Sequence, residues 1–292
     1  MSIYTATARF DSARALSELE MRKLAPSIFA VEAHGSRSER FQPIPTWDIL
    51  RGLMGEGFMP VGVKQSRTRD PGKAEFTKHL IRLRRIDQDS RYSVGDTVCE
   101  ILLKNANDGS SAYDLMAGLF RIRCLNSLVA QTGTLDTVKV RHTGSPEDVM
   151  GRVIEGTHRV LGEAQRALAA PADWSSIALS RDERFILAEA AHGLRFGAGD
   201  DGEEAPAVAH AIKPTALLEA RRTGDQGGDL WTTFNVVQEN VIRGGLRGVA
   251  RDANNRPRRV RTREVRGIDQ DVKLNRALWT LTAKMAELKS AA

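Results

Sequence analysis

The apolar pattern of this 292-residue chain changes its period once, near Ser145, and that change limits the fold more than any other feature. Upstream of it, Phe58 to Arg69, Phe76 to Ile86 and Asp96 to Lys104 read as strands. Within the second of these, Ile81-Arg82-Leu83-Arg84 alternates apolar and basic residues, the period of a half-buried strand. Pro60 suits a strand start or an edge, and Asn107-Asp108-Gly109 suits a turn. Thr46 is a good helix N-cap before Trp47, Leu50 and Leu53, and Gly55 and Gly57 end that helix. A second helix is expected from Ala112 to about Val129, with Leu115, Leu119 and Ile122 on one face, then a short strand over Thr137 to Arg141.

Downstream, helical spacing takes over. Ser145-Pro146-Glu147-Asp148 combines a cap, a proline at the first helical position and two carboxylates at the positive end of the dipole, which predicts a helix to about Ala169. Ser180 caps another, Arg181 to Leu194. Further helices are expected over Thr215 to Arg222, Asp229 to Ile242 and Asp269 to Leu288. The stripes Trp231, Phe234, Val237 and Leu274, Leu278, Leu281 predict helix–helix packing. The expected fold is therefore α+β: helix, three-stranded antiparallel sheet and long helix, then a mainly helical C-terminal half. Its division is an N-terminal arm over 1–45, an α+β core over 46–143, and a helical region over 144–292 with an arginine-rich loop at 243–266.

Apolar residues make up 41% and charged residues 27%, the mix of a soluble globular protein, and no apolar run approaches the roughly 20 residues of a membrane span. Met1 to Phe10 has no apolar signal-peptide core. With Cys99 and Cys124 as the whole cysteine complement, neither a disulfide scaffold nor a cysteine-based zinc site is expected, and the compartment is read as the cytoplasm.

The net charge is +6, but its distribution says more. Arg243 to Arg266 holds nine arginines against Asp252 and Glu264, and Lys64 to Arg85 holds eight lysines or arginines against Asp70 and Glu75. The rest of the chain is net negative. Positive charge gathered in two places is the footprint of a polyanionic partner. In the first place, Arg82 and Arg84 would stand on one strand face at roughly 6.6–7 Å, close to one nucleotide step. Lys64, Arg67, Arg69, Lys73, Lys78 and Arg85 would extend this phosphate track. The alternative is an ordinary solvated strand face. In the second, Arg256, Arg258, Arg259, Arg261 and Arg263 form a mobile loop suited to sequence-blind phosphate binding, since guanidinium forks match phosphate oxygens.

Catalytic and cofactor motifs fail on context. Gly197-Ala-Gly-Asp-Asp-Gly202 has the spacing of a dinucleotide loop, but Asp200 and Asp201 would repel a pyrophosphate and no strand precedes it. Gly151 to Thr157 has phosphate-loop spacing with Thr157 where lysine belongs. The six histidines fall without ligand spacing. Asn235 and Glu239 sit one turn apart, without a histidine or aspartate beside them, and read as a polar contact. No cofactor, metal or covalent chemistry is expected, and no enzyme.

Several stretches carry a family resemblance: Ala25 to Ala30, Ser36 to Thr46, Gly57-Phe58, Asn105 to Ser110, Ala117 to Ser127, Leu230 to Asn240 and Leu274 to Trp279. Together they resemble the phage- and plasmid-like family of domain of unknown function nine-three-two, over nearly the whole chain. The resemblance implies a protein of a mobile element, with a role in DNA maintenance or recombination. The order helix, antiparallel strands, long helix is also similar to the Rad-fifty-two superfamily of single-strand annealing proteins, as an architectural analogy. The expected function is non-enzymatic binding of nucleic acid, single-stranded DNA favoured, by an annealing protein working as a ring or filament of identical subunits. The alternative is a regulatory or anti-host-defence interaction protein of a plasmid or prophage.

Overall fold

The computed structural model describes residues 14–31, 45–68, 70–85, 96–108, 111–122, 129–141, 143–197, 211–251 and 255–291. The arm as far as residue 13, the proline segment 41–44, Arg69 and the acidic loop beyond Gly197 lie outside the described residues. The chain forms two compact units, Met1–Leu168 and Ala169–Ala292.

The first unit is built on a five-stranded antiparallel meander in which each strand pairs with its sequence neighbours. The strands are β1 (Phe58–Gln65), β2 (His79–Arg85), β3 (Thr97–Ala106), β4 (Ser111–Ile122) and β5 (Val129–Val140). Val63 opposes Ile81, Ile81 opposes Leu103, Leu103 opposes Leu115 and Leu115 opposes Val138. One apolar row thus crosses the whole sheet, and it belongs to the main core with Leu83, Ile101, Tyr113 and Ala117. That face is covered by α1 (Glu18–Leu24), α2 (Thr46–Gly55) and α3 (Pro146–Ala167). Ile49, Leu50 and Leu53 from α2 and Val149, Val153 and Val160 from α3 complete it. α3 lies close: a methyl group at Gly156 would come within 2.9 Å of both Leu115 and Val138. The Ser145 hydroxyl caps α3 by accepting from the Asp148 amide at 3.1 Å, as its sequence predicts.

Two expectations are corrected here. Residues 111–122 form a strand, not the first part of a helix, so the sheet has five strands rather than three. Both faces of β4 are buried: Tyr113, Leu115 and Ala117 face the main core, while Met116 and Phe120 are buried on the other side. A strand apolar on both faces has no alternation, and its run of Leu, Met, Ala and Leu imitates a helix. The long helix of the expected order is instead α3. Thr46 is likewise not an N-cap; Pro45 holds that position and Thr46 opens the helix. Its hydroxyl is fully buried, accepting from the Asn105 amide at 2.9 Å.

The second unit is mainly helical. Short α4 (Ala170–Ser175) precedes α5 (Arg181–Phe196), α6 (Leu230–Arg243) and α7 (Ile268–Ala291). Ser180 and Glu183 form a reciprocal capping box on α5, and the Asp229 carboxylate caps α6. The segment expected as a helix over Thr215 to Arg222 is a 3-10 turn at Pro214–Leu218. α6 runs through the centre, with Trp231, Phe234, Val237 and Val241 buried. The two helices that carry the predicted stripes pack together, but through a residue outside the second stripe: Phe234 packs edge-on against Trp279 at 5.8 Å, and Trp174 lies 4.5 Å from Trp279. The arginine-rich segment is not a loop. It contains a two-stranded antiparallel ribbon, β6 (Arg247–Arg251) and β7 (Pro257–Arg261). No helix among the described residues is long and apolar enough to cross a membrane.

Candidate nucleic-acid interface

Arg82 and Arg84, the expected centre of the first phosphate track, do not face solvent. Period two does put Arg82 and Arg84 on one face of β2 and Ile81 and Leu83 on the other, in the core. The arginine face is itself covered, however, and Arg82 and Arg84 are only 3% and 2% exposed. Glu100, on the neighbouring strand, takes a forked pair of bonds from Arg82 at 2.5 and 2.8 Å. The same carboxylate takes Arg84 through Nε at 3.1 Å and through Nη2. The Arg82 guanidinium also stacks 4.0 Å from the centre of the Phe120 ring. Burial holds the Arg82 pKa below its ordinary value, Arg84 pushes it the same way, and Glu100 opposes both. These arginines are paired within the sheet, as desolvated charges must be. Of the other expected residues, Lys64 and Lys78 are half-buried, Arg67, Lys73 and Arg85 are exposed, and Arg69 lies outside the described residues.

The second basic segment keeps its charge at the surface and orders it. The ribbon register pairs Arg247 with Arg261, Val249 with Arg259 and Arg251 with Pro257. Residues directly opposite share a face, so these six form one side of the ribbon, and all six are exposed. Gly248, Ala250, Val260 and Arg258 form the other side; the first three are half-buried and Arg258 is exposed. Gly248 explains how the ribbon is seated: a methyl group there would lie 2.0 Å from the Ala211 carbonyl oxygen and 2.9 Å from Ile212. The packed side is small and apolar at Gly248, Ala250 and Val260 and also carries the exposed Arg258, while the free side carries Arg247, Arg251, Arg259 and Arg261. Like charges directly opposite, as in Arg247 and Arg261, destabilise an isolated ribbon. Among the described residues, Arg247 and Arg259 have no carboxylate or hydrogen-bond partner. Arg256, Arg258 and Arg263 are also exposed, so all five expected arginines of this segment lie at the surface.

A further basic group gathers at the end of α6. Glu239, 4% exposed, accepts from Arg222 at 2.9 Å and from Arg243 at 2.6 Å. Arg221 donates to Asn240 at 2.6 Å and to the Gly244 carbonyl. Its pKa is pushed down by burial first, relieved in part by Glu239, and lowered further by Arg243, Arg261 and Arg222. One carboxylate thus serves several guanidiniums, and the surplus is positive. Arg221 and Arg222 were absent from the sequence reading because they are 20 residues from the dense run; only the helix–turn geometry joins them to it.

A second feature missed in the sequence is a buried polar network in the first unit. His79 contacts the Ser27 hydroxyl at 2.9 Å through Nδ1 and the Thr46 hydroxyl at 3.0 Å through Nε2. Asn107 donates to the Ser27 carbonyl at 2.9 Å, and Tyr113 also hydrogen-bonds to Thr46. Ser27, Thr46, Asn105 and Asn107 all lie in stretches that carry the family resemblance, which is the signal that could have found them. All are fully enclosed, so they fix the helices to the sheet rather than meet a ligand. Burial pushes the Cys99 thiol up to about 12, far from a nucleophile's range. Among the described residues, no group of three or more His, Cys, Asp or Glu side chains is placed to hold a metal.

Fold and surface together define an α+β protein that carries an arginine-faced ribbon on its helical unit. The chain belongs to the family described as domain of unknown function DUF932, which matches residues 33–279. It is 42% identical over 268 residues to the UPF0380 protein YafZ of Escherichia coli (strain K12), covering 92% of this chain and 90% of that protein. It is 41% identical, over the same shares, to the UPF0380 protein YfjQ of the same organism. No solved structure matches.

Proposed function

We propose that this protein binds nucleic acid through its phosphate backbone, and that the free face of the β6–β7 ribbon is the contact surface. The observation that carries the reading is the alignment of Arg247, Arg251, Arg259 and Arg261 on one exposed side, while the other side seats itself through Gly248, Ala250 and Val260 and adds only Arg258 to the charge. Arg247 and Arg261 stand directly opposite with Arg251 and Arg259 on the same face, a repulsion that a polyanion relieves, and its released counterions add affinity. The basic run from Arg243 to Arg266, nine arginines against two carboxylates, supports the same reading. Its job is to bring complementary single strands of DNA together, as an oligomer in the cytoplasm, without covalent chemistry. Support for that finer step is an architectural analogy: the first unit runs helix, five-stranded antiparallel meander and long helix, an order similar to that of single-strand annealing proteins. The resemblance to proteins of phages and plasmids points to the same sphere.

The test is anisotropy of labelled oligonucleotides at increasing salt, with annealing of complementary strands followed in parallel. Log K should fall linearly with log salt, by about 0.7 per phosphate contacted on a single strand. A slope near zero overturns the phosphate reading. Steep binding without faster annealing overturns only the finer step.

A further inference from the structure

We infer that the ribbon takes double-stranded DNA, seated in the major groove, so that it holds the duplex product rather than the single strands. This rests on the phosphate-binding reading above and names the ligand of the same surface.

The first argument is shape. A two-stranded antiparallel ribbon is one of the two protein elements that the major groove of B-DNA, roughly 12 Å wide, admits. β6 and β7 pair over five residues each, about 16 Å of ribbon, and among the described residues no third strand joins them. The second argument is composition. Surfaces that hold single strands combine positive charge with aromatic side chains on which bases stack. Arg243 to Arg266 contains no phenylalanine, tyrosine or tryptophan, so it offers stacked bases nothing to rest on.

The third argument is the centre of the face. Val249 is 60% exposed, between Arg247 and Arg251 on its own strand and opposite Arg259 on the other. An isolated branched aliphatic residue in a ring of guanidiniums is out of place against phosphates. It is in place against the 5-methyl group of thymine, which protrudes only into the major groove. Arginines two residues from it, about 6.6–7 Å away along the strand, then lie about two base steps from the methyl group, within reach of groove-lining phosphates.

The experiment uses the full chain and two probes of equal length, an A·T-rich duplex and oligo-dT. The variant R247A/R251A/R259A/R261A should lose at least tenfold in duplex affinity and clearly less, about threefold, for oligo-dT. Its duplex salt slope should fall by about 3.6, at 0.9 per contact. Because any protein variant can misfold, the second arm changes only the DNA: replacing thymine by uracil removes the methyl groups and should weaken the wild-type complex a few-fold, an effect lost in Val249→Ser. If both probes lose affinity equally, the ribbon is a general phosphate surface: the duplex inference fails and the proposed function stands. If neither loses affinity, both fail. If the uracil duplex binds as tightly as the thymine one, the ribbon does not sit in the major groove and the inference is overturned.

Discussion

At the scale of single residues, Glu100 decides the fate of the first basic segment. It is 1% exposed and holds two guanidiniums that are themselves buried. Removing one partner of a buried pair leaves uncompensated charge, at a cost of about 3–5 kcal/mol. Glu100→Gln should therefore lower stability by that order, read as a shift of the urea midpoint. Arg82→Glu with Arg84→Glu should unfold the protein rather than remove a ligand. A Glu100→Gln variant with an unchanged midpoint would show that the sheet face is solvated. The alternation in Ile81-Arg82-Leu83-Arg84 made the shared face legible. It could not say what covers the face, because a period records which side a residue is on and not how many layers the sheet touches. The partner, Glu100, sits 18 residues from Arg82 and becomes its neighbour only through the β2–β3 register.

Elements with chemical punctuation were the legible ones. The expected caps at Ser145 and Ser180 are present because a cap is a local bond between a side chain and an amide two or three residues on, though the one expected at Thr46 is not. β4 was illegible for the opposite reason: its identity depends on the strands on either side of it. The ribbon was illegible because Gly244, Gly245 and Pro257 read as breakers, whereas the glycines make the turn into β6, both at positive φ, and Pro257 opens an edge strand. The cap on α5 yields a prediction with a definite sign. Glu183 is held below its ordinary pKa by the Ser180 amide first and then by Lys289 at 3.0 Å. A depressed carboxylate stabilises above its unfolded pKa and loses that contribution as pH falls through the folded one. Wild type should then exceed Glu183→Gln in stability at pH 7, with the gap closing below about pH 4. A gap that persists in acid would mean the charge plays no part. Ser180→Ala should cost about 1 kcal/mol at any pH above that window.

For the whole molecule, the question is whether affinity follows the amount of positive charge or its arrangement. Exposed basic residues remain in the first unit, Arg67, Lys73 and Arg85 among them, but no ladder aligns them on one face as the ribbon register aligns Arg247, Arg251, Arg259 and Arg261. If charge alone mattered, alanine at those three would flatten the salt slope nearly as much, per residue, as alanine in the ribbon. The expectation is a much smaller change, with melting temperatures within a degree or two of wild type for both sets, since surface substitutions rarely exceed ±0.5 kcal/mol. Gly248 separates the two ideas most directly. A side chain there meets the Ala211 carbonyl oxygen at 2.0 Å, a backbone atom that cannot turn aside. Gly248→Val should lift the ribbon from its seat on Ala211 and Ile212 while leaving the formal charge of the chain at +6. Nucleic-acid affinity should drop several-fold, with the helical signal in circular dichroism retained, because α5, α6 and α7 pack around Trp279, Phe234 and Leu278 independently of the ribbon. Unchanged affinity in this variant would mean that loosely held arginines suffice, and that the ordered face is not what the ligand reads.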